Sequence, residues 1–365
     1  MLGLAGLAFA ACSNEEDALN NGPQGTGAVI VRVMSPTTKT LGDATTEADG
    51  KDVIAVVPQD GKIYVRLTAA TGSDTKEITS GNEVKFYGVS GPSKVEAWVN
   101  DTPIADGENV GKLPKGQGIA DITTFQELEP EAIAAYGSTE TITLSGSTET
   151  VTEGGTSTTY EMYEAKVTME IPVARLEVSG IKHATHPVDD EATCKYATLT
   201  IDGIYLDKVK STATGATVDY HMPAVGTEGE DGYIPAPILS DVIPSASFLT
   251  AGAVWPAVEN PAQSYNYYFY PDATQMPILK IYFANATSAD PNNTFSEPRY
   301  AVIKSYNGET NFQFQAGTIY RIIDVTLKDA NIIGDEEGNT LYGVDVTVEE
   351  AKWDVETLTG EWVEE

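Results

Sequence analysis

The sequence predicts an all-β protein built from two β-sandwich domains and a C-terminal tail. The first reason is that short segments of alternating apolar and polar residues recur along the chain, separated by Gly, Pro, Asn and Asp. The second is the composition, because 33 Gly, 19 Pro and 18 Tyr favour strands and turns over helices. Only 121–136 has a helical pattern, and Pro130 interrupts it.

The predicted strands are short and evenly distributed, which is typical of β-sandwiches. In chain order they are 28–34, 53–57, 62–67, 84–89, 95–99, 165–171, 175–181, 197–206, 265–270, 278–283, 300–303, 311–314, 318–327 and 342–349. We predict a domain boundary near 172, which gives an N-terminal sandwich at 27–172 and a C-terminal sandwich at 173–332. The Ser/Thr/Gly-rich stretch at 137–160 predicts either an exposed hairpin or a long loop.

The charge balance excludes some classes of function. The chain has 54 acidic and 22 basic residues, a net charge of −32, whereas nucleic acids and anionic membranes are bound by clustered Lys and Arg. No Gly-x-Ser-x-Gly elbow, Walker loop or dinucleotide fingerprint is present. We therefore expect no nucleic-acid partner, no enzymatic activity and no cofactor.

The N-terminus has the pattern of an export signal. Residues 1–12 are apolar and end in Cys12 after two alanines, which resembles a lipoprotein signal peptide with a lipobox whose cysteine is acylated. The acidic run at 13–17 resembles the surface-export signal of Bacteroidota lipoproteins. Signal peptides begin with positive charge, and none precedes Cys12, so we expect either that the start is truncated or that the true initiation site lies upstream. Residues 13–26 are predicted to be a flexible tether.

Three other features have both a functional and a structural interpretation. His183 and His186 could bind a metal as a pair, but Pro187 favours a solvated loop, so we expect no metal site. The aromatic run at 265–270 could stack on sugar rings, but packing on both faces of a sandwich strand is favoured. Cys194 is predicted to be a small buried apolar residue.

The first predicted strand precedes a region suited to proteolysis. Val29, Val31 and Val33 alternate with other residues along it. The polar stretch that follows, 35–43, is predicted to be an exposed loop, and such loops are preferred cleavage sites. Within it, Lys39 would suit a trypsin-like protease.

The last predicted strand has the same apolar alternation. A polar linker precedes it, so the segment could leave its domain or could pair within its own sheet. The apolar residues of this tail are Val344, Val346, Val348, Trp353, Val355 and Leu358.

Taken together, these segments resemble the FimA-type fimbrillins, the type V pilins of Bacteroidales. The resemblance lies in the lipobox at Cys12, in the first strand followed by Lys39, and in three further segments. These segments are Arg-Leu-Glu-Val-Ser-Gly-Ile at 175–181, Phe-Gln-Ala-Gly-Thr-Ile-Tyr-Arg-Ile-Ile-Asp-Val at 314–325, and Val-Asp-Val-Thr-Val-Glu-Glu-Ala-Lys-Trp at 344–353. Lys39 stands where the best-known relatives have arginine.

The resemblance implies transthyretin-like sandwiches and a mechanism of assembly. The precursor would be an outer-membrane lipoprotein acylated at Cys12. A trypsin-like surface protease would cut after Lys39 and remove the first strand, 27–39, with Val29, Val31 and Val33. The tail at 333–365 would then act as a donor strand for another subunit, through the six apolar residues named above.

The implied function is that of a structural subunit, with the apolar tail favouring the stalk of a cell-surface fimbrium used in adhesion. Implied partners are other copies of the chain, related tip and anchor subunits, the protease, and a host or bacterial surface ligand. The first alternative is a monomeric cell-surface lipoprotein that binds glycans, and the second is a surface glycoside hydrolase.

Overall fold

The computed structural model describes residues 25–34, 52–101, 122–126, 128–178, 181–183, 195–247, 254–255, 265–292, 294–295, 297–322, 325–333, 344–346 and 349–355. The prediction of an all-β protein is confirmed, because these ranges consist of strands joined by turns and by a few single 3-10 turns. No helix within these ranges has both the length and the apolar character needed to cross a membrane.

The first half of the chain forms two four-stranded sheets. One sheet has the order β5-β1-β9-β8 and the other has the order β4-β3-β6-β7. Buried apolar side chains from both sheets, such as Val31 and Val65, belong to one core. The eight strands of these sheets are β1 (Gly27–Met34), β3 (Ile63–Ala69), β4 (Gly72–Ile78), β5 (Glu83–Val89), β6 (Pro92–Val99), β7 (Ala135–Thr139), β8 (Ile142–Glu153) and β9 (Thr156–Thr168). Strand β2 (Asp52–Val56) lies between β1 and β3 in the chain but belongs to the five-stranded sheet described next.

The second half contains two larger sheets. A five-stranded sheet has the order β17-β10-β21-β25-β2, and a seven-stranded sheet has the path β15-β12-β18-β20-β23, with β19 on β12 and β24 on β20. The described part of this half also contains a three-stranded sheet, β16-β11-β22, and a two-stranded sheet, β13-β14. The strands are β10 (Ala174–Val178), β11 (Ile181–His183), β12 (Tyr196–Asp207), β13 (Val209–Lys210), β14 (Thr217–Val218), β15 (Ser240–Ser247), β16 (Val254–Trp255), β17 (Tyr265–Phe269), β18 (Ile278–Phe283), β19 (Asn285–Ser288), β20 (Arg299–Tyr306), β21 (Thr318–Ile322), β22 (Val325–Leu327), β23 (Ile332–Ile333), β24 (Val344–Val346) and β25 (Glu349–Val355).

Aromatic side chains connect the two large sheets of the second half. The ring of Phe314 lies 5.0 Å from that of Tyr306 on β20 and 4.7 Å from that of Tyr320 on β21, both edge to face. The hydroxyl of Tyr267 on β17 donates to Asp241 Oδ2 on β15 at 2.7 Å. Edge-to-face pairs add to the energy of burial, so this cluster helps to hold the two sheets together.

Two predicted elements differ from those observed. The helical pattern at 121–136 forms two separate 3-10 turns, Ile122–Phe125 and Pro130–Ala132, because Pro130 begins the second turn and cannot continue a helix. The predicted strand at 311–314 is not a strand; its alternation arises because Phe312 and Phe314 pack on each other, with ring centroids 4.9 Å apart. Of the two alternatives for 137–160, the structure has the hairpin, β8 paired with β9.

Several charged side chains are buried with a partner of opposite charge. Arg66 Nη2 lies 2.6 Å from Glu96 Oε2, and Lys280 Nζ lies 2.8 Å from Asp207 Oδ2. Burial alone would raise the pKa of Glu96, but hydrogen bonds from Arg66, Lys94 and Tyr136 outweigh it and lower the pKa. The Glu96 carboxylate therefore stays ionised inside the sandwich.

Candidate functional site

The predicted detachable strand is an inner strand of its sheet. β1 pairs antiparallel with β5, where Val31 lies opposite Val84, and parallel with β9, where it lies beside Ala165. The β-branched residues of β1 favour this extended conformation. Because β1 has a neighbour on each side, its removal would leave unpaired backbone groups on both β5 and β9.

The three predicted valines form the core-facing side of β1. Val29 and Val31 are 0% exposed and Val33 is 4% exposed. Their burial contributes roughly 5–9 kcal/mol relative to exposed side chains, which is an upper estimate. A strand that leaves this position therefore exposes a continuous apolar groove.

The start of β1 is held closely against β5. Gly25 donates its backbone N–H to the carbonyl of Gly88 at 3.1 Å. A Cβ atom at Gly25 would lie 2.0 Å from the carbonyl oxygen of Val89, so only glycine permits this approach. At the other end, the N–H of Val33 donates to the carbonyl of Asn82 at 2.9 Å.

Arg32 lies on the outward face of β1 and reaches both flanking strands. Its Nε donates to Glu83 Oε2 on β5 at 2.9 Å, and its Nη1 lies 3.7 Å from Glu164 Oε2 on β9. The three side chains are between 36% and 42% exposed, so solvent screens these ion pairs and each contributes little. The two glutamates nevertheless define a place for one cation in the middle of the sheet.

A second group of polar contacts links β5 to β8, on the two edges of the same sheet. Lys85 Nζ on β5 donates to Glu149 Oε1 on β8 at 3.0 Å, and the Tyr87 hydroxyl donates to the same oxygen at 3.2 Å. Burial, with the neighbouring Glu149 carboxylate, raises the pKa of Tyr87 to about 12, so the hydroxyl keeps its proton at neutral pH. These contacts tie β5 to the β8–β9 hairpin without using a side chain of β1.

The tail pairs with its own chain in this structure. The backbone of Val344–Val346 forms β24, which runs parallel to β20, and Trp353 and Val355 lie in β25. β25 is antiparallel to β21 and parallel to β2. The remaining predicted site residues, Cys12, Lys39, Val348 and Leu358, lie outside the described residues.

The sequence did not reveal which strands lie beside β1 and beside the tail. It identified β1 but not its neighbours β5 and β9, and it gave no role to Arg32. It also missed that β2, expected in the N-terminal sandwich, pairs with β25 in a sheet of the second half. No pattern within a single strand could have revealed these pairings, because backbone hydrogen bonds do not depend on side-chain identity.

The competing candidate sites are buried and hydrogen-bonded. Tyr267, Tyr268 and Tyr270 are at most 4% exposed, which leaves their faces to the core rather than to a sugar. The expectation of a solvated loop is wrong at His183, which is 3% exposed on β11, with its Nε2 2.7 Å from Asp329 Oδ1. His186 and Cys194 lie outside the described residues, and the part of the chain that is described contains no cluster of three or more possible metal ligands.

Comparisons with known proteins extend these observations. No family model and no curated protein matches the chain. A solved structure of a candidate cell adhesion protein from Bacteroides eggerthii matches with a TM-score of 0.50 and 16% identity, covering 92% of this chain and 99% of its own. A fimbrilin (FimA) from Porphyromonas gingivalis matches with a TM-score of 0.47 and 12% identity, covering 93% and 100%. The tip fimbrial protein Mfa3 of the same species, truncated at its C-terminus, matches with a TM-score of 0.30 and 12% identity, covering 90% and 99%.

The match to the Bacteroides eggerthii structure shows a common fold over almost the whole of both chains. At these identities the likeness concerns the fold alone. The structural neighbours of this chain are fimbrilin and cell adhesion proteins of Bacteroidales, as the resemblance in the sequence predicted.

Proposed function

We propose that this protein is a structural fimbrial subunit that polymerises by donor-strand exchange. The observation that carries the proposal is the place of β1, an inner strand with three buried valines that directly precedes the segment containing Lys39. Cleavage after Lys39 would leave β1 held only by non-covalent contacts. The groove between β5 and β9 could then accept the tail of a second copy, which would restore both the apolar burial and the backbone hydrogen bonds.

Such an assembly would be open-ended, with no limit on the number of subunits. The groove and the tail are different surfaces of one subunit, so each contact is head-to-tail and a fibre grows instead of a closed dimer. The tail carries apolar alternation from Val344 to Val348, which suits a stalk subunit. A net charge of −32 would keep a surface-exposed fibre soluble.

The proposal includes export and location. The precursor would be acylated at Cys12, carried to the outer membrane, and processed by a trypsin-like surface protease at Lys39. Its partners would be other copies and related tip and anchor subunits, with a host or bacterial surface ligand for the finished fimbrium. The protein has no enzymatic role in this scheme.

The experiment treats purified precursor with limiting trypsin and analyses unheated samples on denaturing gels. We expect a ladder of polymers whose subunits begin at Thr40, and no ladder from a Lys39→Gln variant treated in the same way. A monomer that stays unchanged with β1 still attached would contradict the proposal and favour the glycan-binding lipoprotein. Hydrolysis of a polysaccharide by the precursor would favour the glycoside hydrolase.

A further inference from the structure

A cavity of about 410 Å³ opens at one end of the seven-stranded sheet. Its wall comes from Lys208 after β12, from residues 274–278 at the start of β18, and from residues 310–311 after β20. These segments meet because Asp207 at the end of β12 lies opposite Ile278 on β18, and β20 runs antiparallel to β18. The volume is in the range of small-molecule sites, roughly 300–1,000 Å³, and loops on a rigid sheet commonly carry such sites.

The wall of the cavity carries uncharged polar side chains that the fold does not use. Gln275, Thr310 and Asn311 are exposed, and within the described part of the chain their side chains have no hydrogen-bond partner. Thr274 adds a hydroxyl that donates to Asp272 Oδ1 at 2.7 Å and can still accept. Amides and hydroxyls both donate and accept hydrogen bonds, as the hydroxyls of a sugar do.

The apolar part of the wall is formed by Met276 and Ile278. Both side chains are half-buried, so each presents an apolar surface to the cavity. A sugar ring has apolar C–H faces and a hydroxylated edge. The two apolar side chains can pack on a face of the ring while the amides and hydroxyls bind its edge, which is the usual division of work in a ligand site.

The backbone at Lys208 is fixed from behind by a buried carboxylate. Asp207 is 3% exposed, and its Oδ1 accepts the N–H groups of Lys208 and Tyr220, both at 2.7 Å. Its Oδ2 lies 2.8 Å from Lys280 Nζ. Lys208 has a φ of 58°, in the left-handed region that residues other than glycine seldom adopt. These contacts hold the strained residue at the edge of the cavity.

The other two segments of the wall are also held in place. Asp272 accepts the N–H of Thr274 at 2.7 Å, and its other oxygen lies 2.7 Å from Lys210 Nζ. Phe312 follows residues 310–311, and its ring lies 5.9 Å from that of Tyr306, which is 0% exposed. A wall that is already ordered loses little conformational entropy when a ligand binds.

Charge decides between the classes of ligand. Of the described residues that line the cavity, only Lys208 is charged, and its Nζ already lies 2.5 Å from Asp219 Oδ1. No carboxylate among these lining residues is available for a cation, and a net charge of −32 disfavours an anion. We propose that the cavity binds a neutral sugar unit of a surface glycan. This inference deepens the proposed function by giving the chemical class of the surface ligand, and it rests on that function only for its biological role.

The test titrates the unprocessed full-length chain with the methyl glycosides of glucose, galactose, mannose and N-acetylglucosamine, followed by saturation-transfer NMR. We expect at least one of them to bind. Gln275→Ala and Asn311→Ala should each weaken its binding by about twofold to tenfold, the range for the loss of one neutral hydrogen bond. The matched control is Gln315→Ala, which removes an exposed amide that is not among the lining residues and should leave binding unchanged.

A blocking variant and a charged probe make the test decisive. Thr310→Trp should abolish binding, because the indole would fill the cavity from an exposed position, and urea unfolding should show that the variant is folded. No binding of any of the four glycosides, or binding that Thr310→Trp leaves unchanged, would overturn the site. Tighter binding of methyl glucuronide than of all four, lost in Lys208→Gln, would overturn the neutral class of ligand.

Polymerisation separates this inference from the proposed function. No residue of β1, β5 or β9 is among those that line the cavity, so trypsin-treated Thr310→Trp should still form a ladder on unheated gels. A chain that binds a glycoside in this cavity but forms no ladder would support the sugar site and contradict the fimbrial role. A chain that forms a ladder and binds none of the four glycosides would do the reverse.

Discussion

The first strand and the last strand of this chain occupy similar positions in two different sheets. β1 lies between antiparallel β5 and parallel β9, and β25 lies between antiparallel β21 and parallel β2. Their sequences differ sharply, because β1 has one charged residue in eight and β25 has four in seven, Glu349, Glu350, Lys352 and Asp354. Backbone pairing is thus available at both positions, and β1 places the apolar side chains of Val29, Val31 and Val33 in the core.

Under the proposed function, this difference would explain how the chain is stable before processing and reactive afterwards. While β1 is present, its buried valines complete the first sandwich and the tail has no groove to enter. In the proposed exchange, the free energy released by filling the groove would draw the tail away from its own chain.

The largest expected effect comes from a charge placed on the core face of β1. Val31→Asp should destabilise the precursor by at least about 4 kcal/mol, because an unpaired carboxylate would be buried in the core. Urea unfolding measures the loss. Ile30→Asp, on the half-buried outward face of the same strand, is the control and should cost less than half as much. Equal losses would mean that β1 is not a core strand.

A smaller effect is expected from removing the tail. Deletion of 340–365 should lower the free energy of unfolding of the precursor, because the ladder hydrogen bonds of β24 and β25 to β20, β21 and β2 are lost and each contributes roughly 0.5–1.5 kcal/mol. The unfolding transition should stay cooperative, and the processed variant should form no ladder on unheated gels. A precursor that no longer folds would show that the tail belongs to the core of its own chain.

The smallest effect is expected at the ion pairs of β1. Arg32→Gln should change the free energy of unfolding by less than about 1 kcal/mol, because its partners are partly exposed. The control is Arg66→Gln, which leaves Glu96 buried without its main partner, since the two side chains are only 10% and 6% exposed. That variant should cost roughly 3–5 kcal/mol in the same urea experiment. An Arg32→Gln loss of that size would show that Arg32, and not the valines, holds β1.

The strands with clear alternation could be predicted from the sequence, and those without it could not. The first strand was expected at 28–34 and forms at Gly27–Met34, because its valines require one buried face. β4 was not predicted, because Gly-Ser-Asp-Thr-Lys-Glu-Ile has no apolar alternation; it forms by pairing along the whole of β3. At 311–314 a strand was predicted and none forms, because Phe312 and Phe314 alternate as members of an aromatic cluster and not as one face of a strand.

Of the candidate site, the sequence predicted the core-facing residues of β1 but not the residues that lie beside them. The sequence identified Val29, Val31 and Val33 as one face of a strand, because their spacing determines that face in any extended conformation. It could not identify Val84, Phe86 or Ala165 as their neighbours, since these residues lie on strands that are distant in sequence.

The sequence by itself determined the all-β class, the acidic charge and the two valine-rich segments at opposite ends of the chain, because composition and a two-residue period are local properties. Only the tertiary structure decided that β1 lies between β5 and β9, that β25 lies beside β2, and that Ala28 occupies a fully buried position. The physical reason is that side-chain alternation fixes which face of a strand is buried. The neighbour of each strand is instead chosen by the packing of the whole chain, since the backbone hydrogen bonds are the same for every sequence.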